Sequence, residues 1–189
     1  MGPCKLLFNS QPEKPIMRGK ITLITGPPQS GKSLELFRHV QLYSAQSNVC
    51  VIIKHISEKD NDISQLLESL GIWAEVLFCE DLEYMKDIVW KKVQSSQVIC
   101  IDKGELFSDL PSFCDKMAYK GKNIVVAGLQ STARRDFYKP IAELFPLCEE
   151  IIKLHTLCQD CTGKASFHIT FKMGDKIKTK NLCRTCHPC

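Results

Sequence analysis

A chain of 189 residues is long enough to bury one substantial core with a small appendage, and its 44% hydrophobic and 24% charged content excludes a disordered polypeptide. The net charge of +4 is mild, which weighs against nucleic acid or a membrane surface as the partner of the whole molecule. The start Met1–Phe8 is too short an apolar run for a signal peptide and no stretch is long and apolar enough to span a bilayer, so the eleven cysteines predict a reducing, cytoplasmic setting. There, clustered cysteines bind metal and scattered ones fill the core.

Residues 1–18, with Pro3, Pro12 and Pro15, predict a flexible N-terminal arm. Ile21-Thr-Leu-Ile24 reads as a buried strand that stops at Gly26-Pro-Pro28. Leu34, Leu36, Phe37, Val40 and Tyr43 recur at helical spacing, so a helix follows from Lys32. Val49–Ile53 predicts a second strand of the continuous apolar kind that parallel sheets use. Helices are expected over Ile63–Leu70 and Leu82–Val93, with a short strand at Glu75–Phe78 between them. Strands at Val98–Ile101 and Asn123–Ala127 flank a helix from Leu110 to Tyr119 that ends at Gly121. Glu149–Leu154 gives a last strand before a cysteine-rich tail. Strands alternating with helices in this way predict an α/β domain with a mainly parallel sheet.

Three features carry chemistry. Gly26-Pro27-Pro28-Gln29-Ser30-Gly31-Lys32-Ser33 fits G-x-x-x-x-G-K-[ST] at every fixed position, after a strand and opening a helix. Its backbone amides would cradle phosphates, Lys32 would reach the β- and γ-phosphates of ATP, and Ser33 would hold Mg²⁺. The second is Asp102, which closes an apolar strand where this chemistry places a metal-holding acid. The third is the pair Cys158-x-x-Cys161 and Cys183-x-x-Cys186, separated by 21 residues, the pattern of a closed and therefore structural zinc site. His155, His187 and Cys189 are spare donors nearby, and cysteines 4, 50, 79, 100, 114 and 148 sit mostly in apolar surroundings.

In this order and spacing, the glycine loop, the strand-end Asp102, Ala127-Gly-Leu129 and the closing cysteine pairs resemble the type II thymidine kinases of vertebrates and large DNA viruses. Phe113-Cys-Asp-Lys-Met-Ala118 and the Lys153-Leu154 before the first pair strengthen the likeness, which covers residues 18 to 187. The resemblance implies a RecA-like sheet with helices on both faces and a zinc-anchored, lasso-type lobe, divided as arm 1–18, nucleotide-binding domain 19–153 and zinc lobe 154–189. It also implies transfer of the γ-phosphate of ATP to the 5′-hydroxyl of a nucleoside, in a homo-oligomer of two or four chains.

Departures from the family pattern gather at the acceptor side. Where the family reads Asp-Glu-Gly-Gln-Phe-Phe, with the Glu as base, this chain reads Asp102-Lys103-Gly104-Glu105-Leu106-Phe107. A lysine cannot accept the proton at neutral pH unless its pKa falls far, which leaves Glu105 as the candidate base. Ala133 stands at a usual Phe, Leu106 at another, Pro28 at a Met, and Glu58 at a metal-associated Asp, with Tyr138 and Phe107 left as apolar walls. Residues 162–182 are shorter than the family lasso and lack its glycine pair and tyrosine. Three readings follow: a phosphotransferase with altered acceptor, a pseudokinase that keeps nucleotide binding, and a nucleic-acid contact made by the basic segment Lys164–Arg184 with Arg134 and Arg135.

Overall fold

Apolar runs buried on both faces dictate the centre of the molecule, because alternate residues of each strand point to opposite sides. The structure, a computed structural model, describes residues 18–59, 63–174 and 176–186. Strands β1 (Ile21–Gly26), β2 (Cys50–His55), β3 (Glu75–Cys79), β4 (Val98–Ile101), β5 (Asn123–Leu129) and β6 (Glu150–Lys153) form one sheet in the order β3-β2-β4-β5-β1-β6. Every pairing in it is parallel. On one face Ile24, Ile52, Cys100, Val125 and Ala127 pack against Leu36, Phe37 and Val40 of α1 (Lys32–Ala45) and Leu67 of α2 (Ser64–Ser69). On the other, Leu23, Ile53, Ile99, Ile101 and Val126 meet α3 (Asp87–Ser95), α4 (Leu110–Tyr119) and α5 (Lys139–Leu144) through Val93, Phe113, Met117, Ile141 and Leu144. Each fully buried side chain of this kind contributes roughly 1.5–3 kcal/mol.

The predicted strands and the helix Leu110–Tyr119 stand within a residue or two of their expected bounds, and Gly121 takes the left-handed φ of 82° that ends α4. Two helices differ from expectation, each for a physical reason. Helix α3 begins at Asp87, not Leu82: Lys86 is extended at φ −58° and ψ 145°, and the Glu83 N–H is taken by Asp109 Oδ2 at 2.8 Å. Helix α5 was not expected; Pro140 in its first turn suits a helix start rather than a break. The cysteine-rich tail, for which no elements were expected, folds as two antiparallel pairs, β7 (Thr156–Leu157) with β8 (Lys164–Ala165) and β9 (Phe167–Met173) with β10 (Lys176–Leu182).

Cys50, Cys79, Cys100 and Cys114 are buried core residues and Cys148 is half-buried; Cys4, Asp175, His187 and Cys189, with the arm up to residue 17, lie outside the described residues. Among the described residues no helix is long and apolar enough to cross a membrane.

Candidate functional site

The loop between β1 and α1 runs over the carboxyl edge of the sheet, where open parallel sheets leave a crevice. Its turns demand unusual backbone: Gln29 and Gly31 have φ of 60° and 85°. Gly26 has no room for a side chain, since a Cβ there would stand 2.7 Å from Ser30 Oγ and 2.8 Å from the Leu154 carbonyl oxygen. Ser30 Oγ and the Thr25 hydroxyl are buried and have no hydrogen-bond partner. Lys32 folds back so that its ammonium donates to the Pro27 carbonyl at 2.8 Å. Burial lowers the Lys32 pKa, a shift that the nearby Glu105 and Asp102 oppose. A half-buried cation under a loop with orphaned hydroxyls is chemistry suited to an anion.

Helix α1 packs across β5 and carries Ser33 to the end of β4, where its hydroxyl donates to Asp102 Oδ1 at 3.0 Å. Asp102 is 4% exposed and its Oδ1 also accepts from the Lys103 N–H at 3.1 Å. Sequence reasoning missed Lys54, the 3%-exposed lysine near the end of β2, whose ammonium lies 3.9 Å from Asp102 Oδ2. The signal was a charged residue inside a strand with no turn residue to explain it. A serine hydroxyl and an aspartate oxygen are the hard donors a Mg²⁺ ion takes, so this pair fits that ion.

Lys103 and Glu105 leave β4 in different directions. Lys103 adopts left-handed backbone, φ 54° and ψ 50°, and its ammonium pairs with Glu58. Glu105 turns inward from a short 3₁₀ turn, and its Oε2 accepts from the Leu129 N–H at 2.9 Å. Burial raises the Glu105 pKa, while that N–H and Lys32 pull against it. Glu105, Lys32, Ser33, Asp102, Pro28 and Leu129 line a cavity of about 370 Å³, within the usual size of a small-molecule site. A larger cleft of about 1000 Å³ lies beside α2 and β3, lined by Trp73, Glu68 and Lys92, and contains none of the residues the sequence singled out for a site.

The four cysteines converge as well. Their sulfurs all lie within 4.8 Å of one another, and Cys161 Sγ and Cys183 Sγ are 3.5 Å apart. Tetrahedral zinc with Zn–S of about 2.3 Å needs sulfurs about 3.8 Å apart, so the donor set fits the ion. Burial alone would raise the Cys158 thiol, but the N–H groups of Asp160, Cys183 and Cys161 outweigh it and bring the thiol down to about 6. The spare donor His155 instead faces Ser166 Oγ at 3.1 Å.

The sequence profile of the thymidine kinases matches residues 19–187. The chain belongs to the thymidine kinase family. It is 33% identical to the thymidine kinase of Sheeppox virus (strain KS-1) over 186 residues, covering 89% of this chain and 97% of that one. It is 30% identical to the cytosolic thymidine kinase of Cricetulus griseus, over 90% of this chain and 74% of that one. Among solved structures, the flagellar accessory protein FlaH of Methanocaldococcus jannaschii shares the fold, with a TM-score of 0.50 at 13% identity over 87% of this chain and 77% of that one. Membership in the thymidine kinase family supports nucleoside kinase function.

Against the thymidine kinase pattern, the expected walls divide. Tyr138 is half-buried, and burial, then the Glu105 charge, raise its phenol pKa, so it senses the cavity's carboxylate without being one of the lining residues. Phe107 does not: it is 1% exposed in the sheet core, with the His55 ring edge-on at 5.3 Å. Glu58, expected near a metal, is held by Lys103. Ala133 lies apart from the residues lining the cavity, and Arg135 stacks over Phe167 at 4.7 Å.

Proposed function

We propose that this chain is an ATP- and Mg²⁺-dependent nucleoside kinase, with residues 19–153 as the nucleotide-binding unit and 154–189 as a zinc-stabilised lobe. The observation that carries the reading is the convergence of Lys32, the Ser33–Asp102 pair and Glu105 on one cavity at the sheet's carboxyl edge. The backbone N–H groups of Gln29, Ser30 and Gly31 hold the phosphates, Pro27 and Pro28 having none to donate, and Lys32 exchanges its Pro27 carbonyl for phosphate oxygens, regaining the charge partner that burial denies it. Ser33 and Asp102 hold Mg²⁺, which when bound neutralises charge developing on the transferred group. Glu105 accepts the proton of the attacking 5′-hydroxyl. Its raised pKa moves it toward the working pH, as a general base needs, and the Leu129 N–H fixes the carboxylate.

The acceptor is a nucleoside, read from the family; a homo-oligomer and a cytoplasmic location are read from the same likeness. A second reading, a nucleotide-binding member without turnover, is favoured by one observation: the residue at the family's base position, Lys103, is tied into an ion pair with Glu58. Transfer of labelled γ-phosphate to thymidine or deoxyuridine, measured for the wild type, Lys32→Ala and Glu105→Gln, decides between them. The kinase reading expects transfer that disappears in Lys32→Ala and falls about 10²- to 10⁴-fold in Glu105→Gln. Stabilisation by Mg·ATP with no transfer to either nucleoside leaves the second reading standing.

A further inference from the structure

We propose that Asn181 is a positioning residue that ties the four-cysteine lobe to the glycine loop, so that metal in the lobe governs how firmly the loop is held. Asn181 lies on β10 and is 3% exposed. Its side-chain amide donates to the Pro28 carbonyl at 3.0 Å, reaching from the lobe to the middle of the loop. Its backbone is clamped from the other direction: its N–H is taken by Gln159 Oε1 at 3.1 Å, and its carbonyl accepts from the Gln159 N–H at 3.0 Å.

Gln159 sits inside the turn between Cys158 and Cys161, and Asn181 precedes Cys183 by two residues. Both halves of the cysteine cluster therefore fix the backbone from which the amide reaches out. Asn181 is also held opposite His168 by the β9–β10 pairing, and among the described residues the buried apolar core under that two-stranded pair is small, Cys158, Ala165 and Leu182, so the pair leans on the cysteine turns.

The loop needs an outside anchor. Its start is pinned where the Leu154 N–H donates to the Thr25 carbonyl at 2.7 Å. Beyond that, the Lys32 ammonium holds the Pro27 carbonyl, but Gln29 and Gly31 take left-handed backbone, Ser30 Oγ is unpartnered, and the Ser30 N–H to Pro27 carbonyl contact is a long 3.3 Å, so the Pro28 carbonyl is held from outside the loop. Asn181 Oδ1 is itself buried without a partner. A carboxamide left half-satisfied in a buried place persists where its other half is committed to a task. Here that task is holding the Pro28 carbonyl, and through it the amides that follow.

The consequence for ligand affinity rests on the nucleotide reading above; the consequence for the loop does not. Hydrogen exchange of the peptide spanning Gly26–Ser33 in the full chain, purified with zinc, tests the loop directly. The forms compared are wild type and Asn181→Asp, each with and without a zinc chelator, with zinc content measured in parallel. Aspartate keeps the shape but cannot donate to the carbonyl. The expected result is faster exchange of this peptide in zinc-loaded Asn181→Asp and in chelated wild type, with no further gain when Asn181→Asp is chelated. Unchanged exchange in chelated wild type overturns the proposal, even if the variant fails to fold. So does unchanged exchange in an Asn181→Asp protein that retains its zinc. Calorimetric titration with Mg·ADP adds the second arm: about fivefold weaker binding in Asn181→Asp, the worth of one neutral hydrogen bond. A wild type that binds no adenine nucleotide defeats the proposed function, while the exchange result still decides the role of Asn181.

Discussion

Glu105 and Lys103 are two residues apart, and the backbone between them decides which meets the cavity. Lys103 takes left-handed φ and points to Glu58, while the turn at Gly104 swings Glu105 under Leu129. Gly104 permits this because a Cβ there would stand 2.6 Å from Val126 Cγ1. Burial raises the Glu105 pKa, so the folded protein keeps a proton that the unfolded chain has already released. The associated stability is complete below the ordinary glutamate range and is lost as pH rises through the raised value. Glu105→Gln, permanently neutral, lacks that loss. Thermal unfolding followed from about pH 4 to about pH 8 should show the variant gaining on the wild type as pH rises. Parallel curves would mean that Glu105 is not held in a charge-averse site. At this scale the sequence revealed the donors with fixed spacing, the glycine loop and the cysteines. Lys54 stayed hidden because a lysine gains a burial partner only through β2–β4 pairing, which spacing does not encode.

Elements with strong periodicity were readable, and those decided by a tertiary contact were not. The strands and α4 follow from apolar runs and a closing glycine, whereas the segment 82–86 carries helix-compatible residues and yet stays outside the helix, bent over Leu82–Tyr84 and extended at Lys86. Leu82 is fully buried, and Asp109, at the start of α4, holds the Glu83 N–H from another element. Periodicity registers Leu82 as a helix residue; the contact with Asp109 overrides it. The β9–β10 ribbon does carry a period-2 signal, with Phe167, Ile169, Phe171 and Met173 alternating with His168, Thr170 and Lys172, but Lys176, Lys178 and Lys180 of β10 stand directly opposite Met173, Phe171 and Ile169, so the face stays largely solvated and reads as a basic tail. Asp109→Ala should therefore lower stability by about 1 kcal/mol, a fall in Tm of about 2–4 °C for a chain of this size. Amide exchange at Glu83 should quicken in step. An unchanged Tm with an unchanged Glu83 amide would assign the non-helical segment to Leu82 packing alone.

Across the whole molecule, charge and packing divide at the same place. Residues 154–189 contain Lys164, Lys172, Lys176, Lys178, Lys180 and Arg184 against Asp160 and Asp175, a balance equal to the +4 of the entire chain. The preceding residues are therefore neutral in sum and own the two large cores, while the tail owns a small one built on Cys158, Ala165 and Leu182. Two-stranded sheets are marginal by themselves in water, and closely spaced lysines repel one another. Metal bound by the four cysteines is the term that offsets both, because ligand binding free energy becomes folding free energy in a small lobe. Removing zinc should melt the tail and spare the sheet. Trypsin added after chelation should cut first within Lys172–Lys180, leaving a resistant fragment that retains β1–β6, whereas the zinc-loaded chain should resist at those lysines. Raising salt should slow the cutting of the chelated form by screening the lysine repulsion. Cleavage in the tail that is indifferent to zinc would show that the hairpins stand without the metal, and the division between a self-sufficient sheet and a metal-dependent lobe would fail.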